Sequence, residues 1–217
     1  MVSGEQIQGA LRAFVAKWEP YAGSEKAEAQ RSVESLRPTG AAYAATMLTN
    51  DPPAVPRTRP PEDGAERETL TGLLDFLRST VVTKVAGLTD EQAFGHPIPP
   101  SALTPAGVVK HLTGVERFWF SIDFAGADLA WPWPEDDPHG NFPLAPGDTL
   151  ARIMTAYVEE CERSRRAVEH AGLDDRAQGE GMEFNLRYAL AHMIEETARH
   201  CGHLDLLRER IDGLTGE

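Results

Sequence analysis

Cysteine is scarce in this sequence, and long apolar runs are missing. The 217 residues include only two cysteines, Cys161 and Cys201, which fall on separate predicted helices. A reduced cytosolic protein is therefore expected, rather than a disulfide-stabilised secreted domain. No apolar run approaches the roughly 18 residues of a membrane-spanning helix. The N-terminus also shows no basic segment followed by an apolar one, so neither export nor membrane insertion is predicted.

Positive charge is also in short supply. The formal net charge is −13 and the isoelectric point is about 5.0. This acidity disfavours non-specific binding to nucleic acid or to an anionic membrane surface. The chain contains no P-loop, no G-x-G-x-x-G turn, no G-x-S-x-G elbow and no C-x-x-C pair. The familiar motifs for phosphate binding, serine-hydrolase chemistry and redox chemistry are thus missing.

Strand patterns are nearly absent, and helical periodicity dominates the chain. Residues 1–50 show short helical patterns and are interpreted as a helical N-terminal extension. Residues 51–61, DPPAVPRTRPP, are a proline-rich linker that cannot be helical throughout. Residues 62–217 are predicted to form the main domain. The expected fold class is all-α.

Four long helices are predicted in the main domain: Glu66–Val85, a second from Thr104 and Pro105, a third from Asp148 or Thr149 to Ala171, and Phe184–Arg210. The third helix is rich in glutamate and arginine outside its apolar stripe, and that outer face is predicted to be solvated. Residues 126–147 form the longest stretch without a helical pattern. In a four-helix bundle, such a long connection lets helices two and three run parallel.

The fourth helix carries a row of polar residues beside its apolar face. His192, Glu196, His200 and His203 are spaced by four, four and three residues, so they stack on one side of a helix. A buried carboxylate between imidazoles must be paired, protonated or bound to a metal, because an isolated buried charge is too costly. This row is the strongest chemical signal in the sequence.

A fifth polar residue, His111, occupies an apolar position on the second helix. Together with Glu196 and His200 it could form a tripod that leaves one coordination position open, as in catalytic zinc sites. His192 and His203 could replace a ligand, support one, or act as acid or base. The alternative is that these histidines are ordinary core residues in a buried hydrogen-bond network.

Two segments carry a family resemblance. VVKHLTGVERFWF (residues 108–120) and LAHMIEETARHCGHLDLLRE (residues 190–209) resemble the DinB/YfiT-like superfamily. The likeness extends over roughly residues 60–212. It is greatest to the branch related to mycothiol-dependent maleylpyruvate isomerases and to mycothiol and bacillithiol S-transferases. The resemblance implies an up-down-down-up four-helix bundle and the metal ligands His111, Glu196 and His200.

The function that this resemblance implies is metal-dependent thiol S-transfer. A divalent metal, Zn²⁺ in the first place and Ni²⁺, Mn²⁺ or Fe²⁺ as alternatives, would activate a low-molecular-weight, mycothiol-like thiol against an electrophilic small molecule. His203 or His192 would carry protons. Further substrate contacts are expected from Tyr157, Arg187 and the loop that contains Trp131 and Trp133.

Other functions are compatible with the same residues. The open metal position could activate water in a hydrolase. The protein could instead be a non-catalytic, metal-binding stress-response protein, or a helical scaffold without any metal. Homodimer formation is expected by analogy with related bundles only.

Overall fold

The computed structural model describes residues 55–133 and 144–215, and its regular elements are all helices. Their bounds are α1 Glu66–Val85, α2 Asp90–Phe94, α3 Pro105–Glu116 with a π-helical continuation Arg117–Phe124, α4 Leu150–Val168 and α5 Leu186–Asp212. Within the described ranges the extended pairing amounts to one isolated bridge, between Arg176 and Asn185. The all-α prediction is confirmed. The predicted helical extension, residues 1–50, lies outside the described residues.

Local capping explains where the helices begin and end. The Thr104 side chain accepts a hydrogen bond from the Gly107 amide, and Pro105 takes the first helical position of α3. Asn185 caps the start of α5, and Gly213 ends that helix in the left-handed conformation. The start at Thr104 and Pro105 was predicted from these local signals, whereas the predicted fourth helix, Phe184–Arg210, begins and ends two residues before the observed Leu186–Asp212.

The predicted apolar faces of the long helices form the core. Buried side chains on these faces include Leu74, Val81, Val85, Ile153, Tyr157, Cys161, Leu186, Met193, Leu204 and Leu207. Within the described ranges, no helix combines the length and the apolar composition that crossing a membrane requires.

Helices α1 and α5 pack side by side and run in the same direction. Glu66, at the start of α1, forms an ion pair with Arg187 at the start of α5. Lys84, near the end of α1, forms an ion pair with Asp205 in the second half of α5. Because the contacts advance in the same order along both helices, the two helices are parallel.

Helix α5 runs antiparallel to α3. His111 in α3 contacts Glu196 of α5, whereas Trp119, eight residues later, contacts His192, which precedes Glu196 by one turn. These directions agree with the order implied by the resemblance, although the complete bundle topology remains a prediction. This antiparallel packing brings the predicted site residues of the two helices together.

The π-helical segment shifts the buried face of the second predicted helix. Helical spacing continued from Val108, His111 and Val115 predicts Phe118 and Ile122 on the inner stripe. The buried side chains are instead Phe120 and Phe124. The amide of Ala125 donates to the carbonyl of Phe120, five residues earlier. A turn widened to this i→i+5 bond rotates the following side chains relative to an α-helix, so the extrapolated stripe was wrong here.

Part of the predicted linker packs against α1. The guanidinium groups of Arg57 and Arg59 lie 4.6 and 4.4 Å from the centre of the Phe76 ring. Pro60 lies so close to Gly72 that a Cβ atom there would be only 2.6 Å from the proline Cβ. Residues 55–61 are therefore attached to the helical domain rather than extended away from it.

Two carboxylates are buried, and one of them lies on the face of α4 that was predicted to be solvated. Glu116 is fully buried and accepts two hydrogen bonds from Arg78, at 2.7 and 2.6 Å. Glu160, on the face of α4 predicted to be solvated, is only 2% exposed and forms ion pairs with Arg117 and Arg163. Helical periodicity could not identify these residues, because their partners lie on other helices or one turn away.

Candidate metal centre

Three side chains from two helices converge on one point. The Nε2 atom of His111 lies 3.3 Å from Oε1 of Glu196, and Nε2 of His200 lies 3.1 Å from the same oxygen. One possible ligand atom from each residue lies within 4.8 Å of the other two. Glu196 and His200 share one face of α5 because they are one turn apart, and α3 supplies His111 across the helix interface.

The spacing of these atoms suits a bound divalent metal ion. Ligand atoms held about 2.1 Å from a tetrahedral zinc ion lie about 3.4 Å from one another. The two imidazole–carboxylate distances, 3.3 and 3.1 Å, are close to that value. Two imidazoles and one carboxylate also match the donor preference of Zn²⁺, Ni²⁺ or Fe²⁺. The side chains of His111 and Glu196 keep 12% and 14% of their surface exposed, so a small molecule could reach the site.

The two oxygens of Glu196 have different partners. Oε1 faces the two imidazoles, whereas Oε2 accepts a 2.9 Å hydrogen bond from Arg199, which also binds Glu195. The hydrogen bonds with His111 and His200 hold the pKa of Glu196 well below its usual range. The carboxylate is therefore ionised at neutral pH, as a metal ligand must be. Arg199 was missed in the sequence, where only its i+3 spacing from Glu196 could have identified it.

His203 contacts the imidazole of His200 on the side away from Glu196. The Nδ1 atoms of the two rings lie 3.3 Å apart. Burial, together with the neighbouring His200, lowers the pKa of His203, so this ring is neutral at neutral pH. A neutral His203 can accept the Nδ1 proton of His200, which leaves the Nε2 lone pair of His200 available to a metal.

The other predicted acid–base residue, His192, lies in an aromatic environment. Its ring centre is 4.2 Å from that of Trp119 and 6.2 Å from that of Tyr188. It precedes Glu196 by one turn of α5 and is partly exposed. The catalytic roles of His192 and His203 remain predictions.

Of the residues suggested as substrate contacts, some lie near the candidate metal centre and others do not. Tyr157 is 1% exposed in the core, and Arg187 forms surface ion pairs with Glu66 and Asp174, so neither position supports substrate contact. Trp133 does lie beside the candidate metal centre: its ring stacks on that of His111 with a centroid distance of 6.4 Å. Trp131 is next to Trp133, with ring centres 5.8 Å apart.

Two imidazoles and a carboxylate converge between antiparallel helices of an all-helical domain. The protein is therefore a helical protein with a candidate single-metal site. A family model described as Mycothiol-S-transferase matches residues 69–213, more than half of the chain. The chain therefore belongs to the mycothiol S-transferase family, within the DinB/YfiT-like superfamily, and the predicted relationship is confirmed. A search of curated proteins found no match.

Proposed function

We propose that this protein is a metal-dependent S-transferase that joins a low-molecular-weight thiol of the mycothiol type to an electrophilic small molecule. The observation that carries the proposal is the convergence of His111, Glu196 and His200 on one point in a member of this family. A divalent ion bound there would lower the pKa of a coordinating thiol, so that the nucleophilic thiolate would form at neutral pH.

The three ligands set the charge of the centre. His111 and His200 bind as neutral imidazoles, and Glu196 contributes a single negative charge. A divalent ion with these ligands carries one net positive charge, which favours an anionic fourth ligand such as a thiolate. Zn²⁺ is the best match to the donor set, with Ni²⁺, Mn²⁺ and Fe²⁺ as the alternatives.

Two neighbouring side chains would fix the orientation of the ligands. Arg199 holds the outer oxygen of Glu196, and with a metal on Nε2 of His200, His203 would accept the Nδ1 proton of that ring. Contacts of this kind commonly change metal affinity or activity about 10- to 100-fold. His203 and His192 are also the candidates for accepting the proton that the thiol releases.

The transfer forms one carbon–sulfur bond. The thiol loses its proton, and the sulfur lone pair attacks the electrophilic carbon. With a substitution substrate, the leaving group departs with the electron pair of the broken bond. With an addition substrate, the π electrons move away from the attacked carbon and are later protonated.

Metal content and thiol dependence test this proposal together. We expect about one equivalent of metal in the wild type and loss of that metal in His111→Ala and His200→Ala, measured by mass spectrometry. His170→Ala is the matched control, because the side chain of His170 is 93% exposed. Product formation should require both the metal and mycothiol.

Each other outcome contradicts part of the proposal. Metal-dependent turnover without any thiol would indicate a hydrolase. Metal binding without turnover, over a panel of electrophiles, would indicate a non-catalytic metal-binding protein. No metal in any variant after incubation with Zn²⁺ or Ni²⁺ would leave His111, Glu196 and His200 as a structural hydrogen-bond network.

A further inference from the structure

A continuous group of aromatic rings borders the candidate metal centre. We call it the aromatic array, and it consists of Phe118, Trp119, Trp131, Trp133, Tyr188 and His192. All six side chains are partly or largely exposed. Tyr188 is 55% exposed and the other five rings are half-buried, so the cluster presents ring surface beside the candidate metal centre. Aromatic surface placed there is suited to contact a ligand.

One end of the aromatic array rests on a metal ligand. Trp133 stacks on His111 with an angle of 27° between the ring planes. It can lie there because position 114 is glycine: a Cβ atom at Gly114 would be 2.7 Å from Nε1 of Trp133. A side chain at position 114 would therefore displace the indole from the metal centre.

The other end of the aromatic array follows α5 away from Glu196. His192 stacks on Tyr188 at an angle of 15°, and Tyr188 is 55% exposed. Phe118 connects the two ends, because its ring centre lies 5.6 Å from Trp133 and 5.8 Å from Trp119. The rings thus form one surface that leads to the metal centre.

The surroundings of the metal centre are asymmetric. The aromatic array extends along α5 from Glu196 towards the N-terminus of that helix. In the opposite direction lie Arg199 and His203, which offer hydrogen-bonding groups. A hydrophilic thiol needs such polar partners, whereas ring faces and edges suit a planar apolar molecule.

We infer that the aromatic array is the electrophile-binding surface and that it selects planar electrophiles in which an aromatic ring is conjugated to the carbonyl group that activates the reacting carbon. This inference rests on the proposed function, and it adds the substrate class. Gly114 and Trp133 act as specificity determinants, because they set the position of the ring that lies beside His111.

Conjugate addition is the reaction best suited to such a substrate. The thiolate sulfur forms a bond to the β-carbon of an aryl vinyl ketone, and the carbon–carbon π electrons move to the carbonyl oxygen. The resulting enolate then takes a proton at the α-carbon. The sum is addition of S–H across the double bond, with no leaving group and no oxidant or reductant.

A matched pair of electrophiles tests the selectivity. Phenyl vinyl ketone and cyclohexyl vinyl ketone carry the same reacting group on a flat and on a puckered ring. With each rate divided by the uncatalysed rate, we expect the wild type to prefer the phenyl compound about tenfold, as two or three stacked ring contacts would allow. Trp133→Leu and Gly114→Ala should remove most of this preference, mainly by raising the KM of the phenyl compound.

Two controls test whether a loss of preference comes from the displaced indole ring. Gly202→Ala adds the same methyl group to α5, where nothing lies within 4 Å of the new atom, so it should retain the wild-type preference. The metal content of Trp133→Leu and Gly114→Ala should equal that of the wild type. If Gly114→Ala fails to fold, Trp133→Leu carries the test.

A binding measurement separates the inference from the proposed function. Propiophenone and cyclohexyl ethyl ketone are unreactive analogues of the two probes, and NMR titration can compare their binding. If thiol transfer is absent but propiophenone binds more tightly to the wild type than to Trp133→Leu, the aromatic array is supported and the proposed function fails. If neither turnover nor binding distinguishes the flat ring from the puckered one, the rings only cover the end of the domain and the inference is wrong.

Discussion

His200 and His203 are one turn apart on α5, and their Nδ1 atoms lie 3.3 Å from each other. This contact occupies the nitrogen of His200 that faces away from Glu196, and it leaves Nε2 directed at the candidate metal centre. A ring held in this orientation is a better metal ligand, since it need not rotate when a metal binds.

Replacing His203 should weaken metal binding without unfolding the protein. We expect His203→Ala to raise the Kd for Zn²⁺ about 10-fold or more, measured by competition with a chromophoric chelator. His203→Gln should recover part of the affinity, because its side-chain carbonyl can accept the Nδ1 proton of His200. Equal affinities in the wild type and His203→Ala would show that the contact does not orient the ligand.

Arg199 should matter for the metal centre more than its exposure suggests. It is 54% exposed, yet it binds the outer oxygen of Glu196 at 2.9 Å. We expect Arg199→Gln to weaken Zn²⁺ binding several-fold while the urea midpoint of the metal-free protein changes little, since exposed ion pairs contribute little to stability. Arg166→Gln is the matched control, because Arg166 pairs with Glu162 on α4. An equal loss of affinity in both variants would point to a general charge effect instead.

The buried ion pair between Arg78 and Glu116 should contribute strongly to stability. Both side chains are nearly or fully buried, and the two hydrogen bonds between them are short. Glu116→Gln leaves the Arg78 charge in the core without its main partner, so the free energy of unfolding should fall by about 3 kcal/mol. Glu162→Gln, in a half-exposed pair, should change it by less than about 1 kcal/mol. Urea denaturation measures the free energy of unfolding of both variants. Similar losses in the two would show that the Arg78–Glu116 pair stabilises the protein no more than an exposed pair does.

The carboxyl group of Asp123 should make stability depend on pH. Burial raises its pKa to about 7, so the folded protein holds a proton that the unfolded chain releases at lower pH. The stability of the wild type relative to Asp123→Asn should therefore decline as the pH rises from about 4 to 7 and then level off. The neutral asparagine avoids burying a charge, so Asp123→Asn should be the more stable protein at pH 8.

Urea midpoints of the two proteins at pH 5 and pH 8 test this expectation. The midpoint difference between Asp123→Asn and the wild type should be larger at pH 8. Asp128→Asn serves as the control, because Asp128 is exposed in the loop that follows the π-helical segment. A pH-independent difference for Asp123→Asn would mean that this carboxyl group titrates normally in the folded protein.

The sequence by itself determined the helical elements and the identity of the three converging residues. Thr104 and Pro105 act within the first turn of α3, so their effect could be recognised without tertiary structure. The spacing of Glu196 and His200 likewise places both on one face of any helix. His111 stood out because it interrupts an apolar stripe, and the structure brings it to the other two.

Only the tertiary structure decided what surrounds those three residues. The π-helical geometry of Arg117–Phe124 changes the angle between successive side chains, so that Phe118 and Trp119 join the aromatic array while Phe120 is buried. Glu116 is buried because α1 supplies Arg78 opposite to it. Trp133 lies beside His111 because Gly114 leaves room for an indole that follows the end of the π-helical segment. Such contacts join residues distant in sequence, and helical periodicity carries no information about which side chain another segment will supply.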